Sequence, residues 1–189
     1  MFENIIKNVH NRHPLIHCIT NYVSINDCAN IVLACGGAPI MAEDINEVSQ
    51  ITSICQGLDI NIGMLNDNKL SSMLKAGATA NELGIPVILD PVGAGSSDYR
   101  IKAVQNLMSN VQFGVIRGNV SEIKAIAEKQ GIHNIAAGVY ETMQKNKSAM
   151  GVEAGIADKI TDDNIKEMAD FINKLSQKTG AVIAVTGGI

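Results

Sequence analysis

Aromatic side chains make up only 3% of this chain, and tryptophan is missing. A basic cluster is missing too: 15 Lys plus Arg stand against 19 Asp plus Glu, a net charge of -4 over 189 residues. Nucleic acids and anionic membranes both require a clustered basic face, so neither is expected as the main partner. No apolar run reaches the roughly 18 residues of a membrane span. Met1 to Asn8 carries Glu3 and Lys7 and has no apolar stretch, so it does not read as a signal peptide. The four cysteines, Cys18, Cys28, Cys35 and Cys55, form no C-x-x-C pair, which removes the common zinc and thioredoxin spacings. They read as reduced thiols of a cytoplasmic protein, packed as small hydrophobes. His13 and His17 are four apart, but Pro14 keeps them off one helical face, so no metal site is expected there. The P-loop pattern G-x-x-x-x-G-K-[ST] is absent, and so is G-x-G-x-x-G, which weakens a dinucleotide oxidoreductase reading.

What the chain does have is small and aliphatic: 46% of it is hydrophobic. Its length suits one domain able to bury roughly 70% of its unfolded surface without metal or disulfide. Five short apolar runs recur, Ala38 to Met41, Leu58 to Ile62, Ile85 to Leu89, Phe113 to Ile116 and Ala181 to Val185. Continuous runs of this length suit strands covered on both faces. Helical periodicity fills the intervals. Ile25 to Ala34 is apolar nearly all round and is expected to be a buried helix, with Ser24 as cap and Gly36 past its end. Asn66 to Leu83 places Leu70, Met73 and Leu74 on one face and stops at Gly84. Val120, Ile123 and Ile126 share a face after Asn119. Ile165, Met168, Ala169, Ile172 and Leu175 form the last stripe, with Thr161 as N-cap, Asp162 and Asp163 in the first turn, and Gly180 past the end. Alternating strands and helices with short connections predict an α/β fold, a parallel sheet with helices on both faces. The irregular stretch Gly131 to Lys159 has Lys145 and Lys147 close together, and is either a helix around Tyr140 to Lys147 or a lid.

In open parallel sheets the ligand crevice lies beyond the carboxyl ends of the strands. The residues after each apolar run are Met41-Ala-Glu-Asp44, Asn61 and Gly63, Asp90-Pro-Val-Gly-Ala-Gly95, Arg117-Gly-Asn119 and Thr186-Gly-Gly188. Polar, charged and glycine residues thus gather where the topology expects a site. Asp90 leaves a strand into a turn with Gly93 and Gly95. It is placed to hold Mg²⁺, to take a proton from an alcohol, or simply to close the turn. Arg117 suits phosphate oxygens. Asn119 and Glu122, three apart, either serve Mg²⁺ through Glu122 or form a capping box. Thr186 and its glycines fit nucleotide contact or an ordinary turn. Thr20 and Asn21, in His17-Cys-Ile-Thr-Asn21, offer hydrogen bonds to a small polar ligand or cap the next helix. Together these groups suggest phosphoryl transfer, which needs positioning and charge neutralisation more than covalent chemistry.

The segments His17-Cys-Ile-Thr-Asn-Tyr-Val23, Ala38-Pro-Ile-Met41, Asn61-Ile-Gly63, Asn81-Glu-Leu-Gly-Ile-Pro-Val87, Asp90-Pro-Val-Gly-Ala-Gly95, Ile116-Arg-Gly-Asn119 and Ala184-Val-Thr-Gly187 run in order along nearly the whole chain. With them the sequence resembles the hydroxyethylthiazole kinase family of thiamine biosynthesis, within the ribokinase-like superfamily. The resemblance implies a three-layer α/β/α fold with a mostly parallel sheet. It implies ATP- and Mg²⁺-dependent phosphorylation of the primary hydroxyl of 4-methyl-5-(2-hydroxyethyl)thiazole. Met41, Asn21 and Gly63 match the substrate side. Arg117, Thr186 and Asn119 match the ATP side. Asp90 matches the catalytic carboxylate, and Asp90 and Glu122 match acidic residues near the phosphates and Mg²⁺. Gly151-Val-Glu-Ala-Gly155 looks like the family's Gly-Val-Asp-x-Gly segment with Glu for Asp. Family members are homotrimers with the thiazole pocket at subunit interfaces.

Such members run to about 250 residues, within the usual size of one domain. The later Thr-Gly-x-Gly-Cys segment and the helices after it do not appear here. Residues 1–189 are therefore expected to form a single incomplete domain lacking the C-terminal part, with little or no activity by itself. The competing readings are another ribokinase-like enzyme (nicotinamide-nucleotide hydrate dehydratase or hydroxymethylpyrimidine kinase) and a non-catalytic protein that binds nucleotide or thiazole.

Overall fold

The computed structural model describes residues 2–132, 160 and 164–187. Its elements, in order, are α1 (Phe2–Arg12), β1 (Leu15–Ile19), α2 (Ile25–Ala34), β2 (Ala38–Ile40), α3 (Val48–Ser53), β3 (Gly57–Asn61), α4 (Asp67–Glu82), β4 (Val87–Asp90), α5 (Asp98–Asn110), β5 (Val115–Asn119), α6 (Val120–Lys129), α7 (Ile165–Thr179) and β6 (Val182–Thr186). The six strands form one sheet in the order β2-β1-β3-β4-β5-β6, and each neighbouring pair is parallel. The expected α/β class and parallel sheet are found. A sixth strand was not expected: Leu15–Ile19, taken only as a lead-in to α2, is β1 and lies inside the sheet between β2 and β3.

This order fixes where a site can form. From β1 the chain moves outward to β2; from β3 onward it moves the opposite way. Right-handed crossovers then place α2 on one face and α4 and α5 on the other. Indeed α3, α4, α5 and α6 pack side by side. The loops after β1 and β3 diverge, leaving a crevice at their tips, the topological switch point of such sheets. The core sits under α3 to α6 and is built from Leu58, Ile60, Met73, Leu89, Leu107, Ile116 and Ile123, each fully buried.

Three expectations about packing are corrected. First, the strands are not all covered on both faces. Along β4, Val87 and Leu89 are buried, whereas Ile88 is 41% exposed. Register puts Asp59 opposite Ile88 and Asn61 opposite Asp90, so Asp59, Asn61, Ile88 and Asp90 share the face away from α4 and α5. Second, α2 buries none of its residues, and Ile31 and Leu33 are 61% and 56% exposed. It rests on the edge strand β2, so its outer side meets no second layer among the described residues. Ser24 stands at its N-cap without a side-chain cap bond, because its hydroxyl donates to Asn21 instead. Third, α7 buries Met168, Phe171 and Leu175, while Ile165 and Ala169 are exposed. Its stripe is centred on Phe171, which pulls the helix round by part of a turn. The helix begins after Asn164 and ends at Gly180, in the left-handed conformation (φ 71°). Thr161, Asp162 and Asp163 lie outside the described residues, as do Lys145, Lys147 and the Gly151 to Gly155 segment.

The other helices follow their sequence signals. Asn66 caps α4 by accepting from the Lys69 N–H at 2.8 Å. The buried side of α4 is Lys69, Ser72, Met73, Ala76, Gly77 and Ala80, and Leu70 and Leu74, expected on one face with Met73, are partly buried against the same core. Gly77 lets that helix approach the loop before β5: a Cβ there would meet Val111 Cγ2 at 2.4 Å. In α6, Val120, Ile123 and Ile126 are all buried, as their spacing predicts.

Candidate active site

The carboxyl ends of β1, β3, β4, β5 and β6 carry a row of polar groups in hydrogen-bond contact. Asn61, at the end of β3, is the middle of the row and is itself buried. Its Oδ1 accepts from Asn21 Nδ2 at 3.2 Å and from the Gly63 N–H at 2.8 Å. Its Nδ2 donates to Asp90 Oδ2 at 3.1 Å. The same Asp90 oxygen lies 3.4 Å from Arg117 Nη1. Next in the row, register pairs Asn119 with Thr186, and the Thr186 hydroxyl donates to the Gly118 carbonyl at 3.4 Å. The structure therefore brings Asn21, Gly63, Asp90, Arg117, Asn119 and Thr186 to one edge of the sheet.

Glycine is required in this row. A Cβ at Gly63 would meet Asn61 Oδ1 at 2.9 Å and Asn21 Nδ2 at 3.0 Å, so a side chain there would break the contact that joins β1 to β3. Gly93 has φ 67° and opens the turn after Asp90.

Asp90 keeps 19% of its side-chain surface and Arg117 53%. Burial pushes the Asp90 carboxyl above its ordinary pKa; Arg117 pulls it down, Glu122 pushes it up, and the Arg117 and Asn61 hydrogen bonds pull it down. The net direction is upward. Such a group is a better proton acceptor than a free carboxylate once ionised. Asp59, one register step back on β3, is pushed up to about 6, first by burial and then by the nearby Asp90 charge, with Arg117 opposing.

Of the two roles its spacing left open, the structure shows Glu122 in the capping box. It forms the capping box with Asn119: Asn119 Oδ1 accepts from the Glu122 N–H at 2.9 Å, and Glu122 Oε2 accepts from the Asn119 N–H at 2.8 Å. Its other oxygen accepts from the Gly93 N–H at 2.8 Å. Both oxygens are thus committed to backbone, and Glu122 ties the turn after Asp90 to the start of α6. Among the described residues no three His, Cys, Asp or Glu side chains are grouped to hold a metal ion. Asp90 by itself fits a Mg²⁺ ion that keeps its remaining oxygen ligands from phosphates and water, the usual pattern for that ion.

Four contributors escaped the sequence reading. Arg100, third residue of α5, donates to the carbonyls of Ile62 (2.6 Å), Val92 (2.9 Å) and Gly63 (2.9 Å), pinning the loops after β3 and β4. Lys69, third residue of α4, is 4% exposed and reaches the Thr20 carbonyl at 2.5 Å and Glu43 Oε2 at 2.7 Å. Tyr22 donates its hydroxyl to Glu43 Oε1. His17, fully buried, donates from Nε2 to the Ala42 carbonyl at 2.8 Å, beside Met41. Burial lowers its pKa, so the ring is neutral at pH 7, and its Nδ1 lies 2.9 Å from the Thr52 hydroxyl oxygen. Both helices with a basic third residue were legible in part. A cation in the first turn opposes the helix dipole, which signals a tertiary partner.

Comparison with known proteins identifies the family. Residues 6–161 match the model of the hydroxyethylthiazole kinase family. A curated hydroxyethylthiazole kinase of Clostridium acetobutylicum is 52% identical over the whole of this chain, which covers 63% of that relative. One from Methanobrevibacter smithii is 44% identical over 98% of the chain, covering 61% of the relative. The solved hydroxyethylthiazole kinase structure from Pyrococcus horikoshii OT3 superposes with TM-score 0.78 at 30% identity, over 97% of this chain and 59% of that one. The chain thus spans about 60% of the length of the relatives it matches.

Proposed function

The chain belongs to the hydroxyethylthiazole kinase family, and we propose that its strand-end row serves the ATP-dependent phosphorylation of the primary hydroxyl of 4-methyl-5-(2-hydroxyethyl)thiazole. The observation that carries this is the continuous contact Asn21–Asn61–Asp90–Arg117 at the switch point of a parallel sheet. It sets an alcohol-binding end beside a phosphate-binding end, with a carboxylate between them.

Asn21, Gly63 and Met41 receive the thiazole alcohol. Asp90 accepts the hydroxyl proton as the oxygen attacks, and its upward-shifted pKa suits that role near neutral pH. Arg117, half exposed and paired only loosely with Asp90, is free to turn toward phosphate oxygens. Thr186 and Asn119 border the same nucleotide end. Asp90 would hold Mg²⁺ together with the phosphates, with Glu122 fixing the turn after Asp90 through the Gly93 N–H; when bound, the ion neutralises phosphate charge. The rival ribokinase-like activities are not favoured, because the family match is to the thiazole enzyme over most of the chain.

The apolar outer side of α2 (Ile31, Leu33) and the exposed Tyr22 and Val23 next to Asn21 suit a subunit contact, so we read the working form as a homotrimer that closes the thiazole pocket. The four cysteines are free thiols, and no helix among the described residues is long and apolar enough to cross a membrane; we place the protein in the cytoplasm. The test is ADP release in a coupled assay with the thiazole alcohol, alongside binding of each ligand by calorimetry. Saturable thiazole and ATP binding, lost in Asn21→Ala and Arg117→Ala respectively, supports the proposal. Absence of binding by both ligands overturns it.

A further inference from the structure

We propose that Lys69 is a positioning residue for the alcohol substrate: it clamps the loop after β1 to the loop after β2, so that Asn21 and Met41 face the ligand as one unit. The proposal rests on the reading of the site given above.

A buried charge is costly unless it is paired and hydrogen-bonded. Lys69 adds a second cost, since it sits in the first turn of α4, where the helix dipole repels a cation. Nothing in core packing requires an ammonium at that position. What the ammonium does is join two segments. From the loop after β1 it takes the Thr20 carbonyl at 2.5 Å and the face of the Tyr22 ring, 4.5 Å from its centroid. From the loop after β2 it takes Glu43 Oε2 at 2.7 Å. Thr20 and Tyr22 flank Asn21, and Glu43 stands two residues beyond Met41.

Tyr22 closes the ring of contacts by donating to the other oxygen of Glu43. Partial burial works against the Glu43 charge, yet the Lys69 and Tyr22 hydrogen bonds hold its carboxyl below the ordinary value, so it stays ionised. Between Met41 and Glu43, the Ala42 carbonyl is held from the opposite side by His17. Met41 is therefore followed by two anchored residues, Ala42 and Glu43, and Asn21 is bracketed by two more, Thr20 and Tyr22. The arrangement acts on the alcohol end alone. Arg117 lies on β5, three strand spacings from β1, or about 14 Å at the usual separation.

The test compares dissociation constants for hydroxyethylthiazole and for ATP with Mg²⁺ in the full chain and in Lys69→Met and Glu43→Gln, with amide hydrogen exchange as a ligand-free readout. Lys69→Met should weaken the thiazole alcohol on the order of ten- to a hundredfold, the value of charge-assisted hydrogen bonds. ATP affinity should stay within about twofold. Glu43→Gln keeps the fold, because that side chain is 40% exposed, and should shift the same ligand in the same direction. Exchange should quicken in residues 20–22 and 41–43 together and stay unchanged in 90–95. If Lys69→Met fails to fold, Glu43→Gln decides by the same two readouts. Equal weakening of both ligands, unchanged thiazole affinity, or exchange that quickens in only one loop would overturn the clamp. If the unsubstituted chain binds no thiazole alcohol, the functional reading fails, and the exchange pattern alone decides whether the clamp exists.

Discussion

Replacing Asp59 by Asn should make the protein more stable, not less, and only above mildly acid pH. Asp59 is partly buried in the sheet, near Asp90, with its carboxyl pushed from 3.8 up to about 6 by burial and by the Asp90 charge. The folded chain therefore binds the proton more tightly than the unfolded chain. Below the unfolded pKa the group is neutral in both states and costs nothing. As pH rises from 3.8 to about 6 the unfolded chain ionises first, so stability is lost across that window and stays lost above it. A difference of about two units corresponds to about 3 kcal/mol. Because the carboxylate keeps some contact with solvent, that figure is a ceiling, and a gain of about 1–3 kcal/mol is expected for Asp59→Asn at pH 8. The gain should shrink below pH 6 and vanish near pH 4. Urea titrations of both proteins from pH 4 to pH 8 measure it. A variant no more stable than its parent at pH 8, or one with the same offset at pH 4 and pH 8, would refute the reasoning.

Three further outcomes follow from the same structure. Asp90→Asn should leave the melting temperature nearly unchanged and lower turnover on the order of 10²–10⁴-fold, the usual contribution of a positioned base; steady-state ADP release measures it. Gly77→Ala gains about 1 kcal/mol of helix propensity but drives a methyl into Val111, at an overpacking cost of about 1–3 kcal/mol, so a net loss is expected in chemical denaturation, recovered in part by adding Val111→Ala. Buried His17 has its pKa lowered by desolvation, so the stability it supports is present above pH 6.5 and falls away as pH drops. In His17→Gln the decline of melting temperature between pH 7 and pH 5 should flatten.

Much of this was written in the chain. The apolar runs located five strands, and the residues after them located the site, because a parallel sheet collects its loops at one edge. Leu15–Ile19 went unread as a strand since His17 interrupts a short run; only the fold reveals that the imidazole has Ala42 and Thr52 as partners. The burial of α2 was overestimated for a related reason. Periodicity reports that a helix is apolar, not which neighbour covers it. The Asn119 and Glu122 spacing left a metal ligand and a capping box open, and geometry commits both carboxylate oxygens to backbone. The partners of Lys69 and Arg100 were invisible: Thr20 lies 49 residues from Lys69, and Ile62 and Gly63 lie 38 and 37 residues from Arg100, separations no local pattern encodes.

The most direct measurement is amide chemical-shift mapping of the full chain titrated separately with the thiazole alcohol and with ATP plus Mg²⁺. The account predicts alcohol shifts at residues 20–22, 41–43 and 61–63, nucleotide shifts at 117–119 and 186, and both ligands meeting at Asp90. Shifts confined to the opposite edge of the sheet, around residues 110–112 and 178–181, would contradict it.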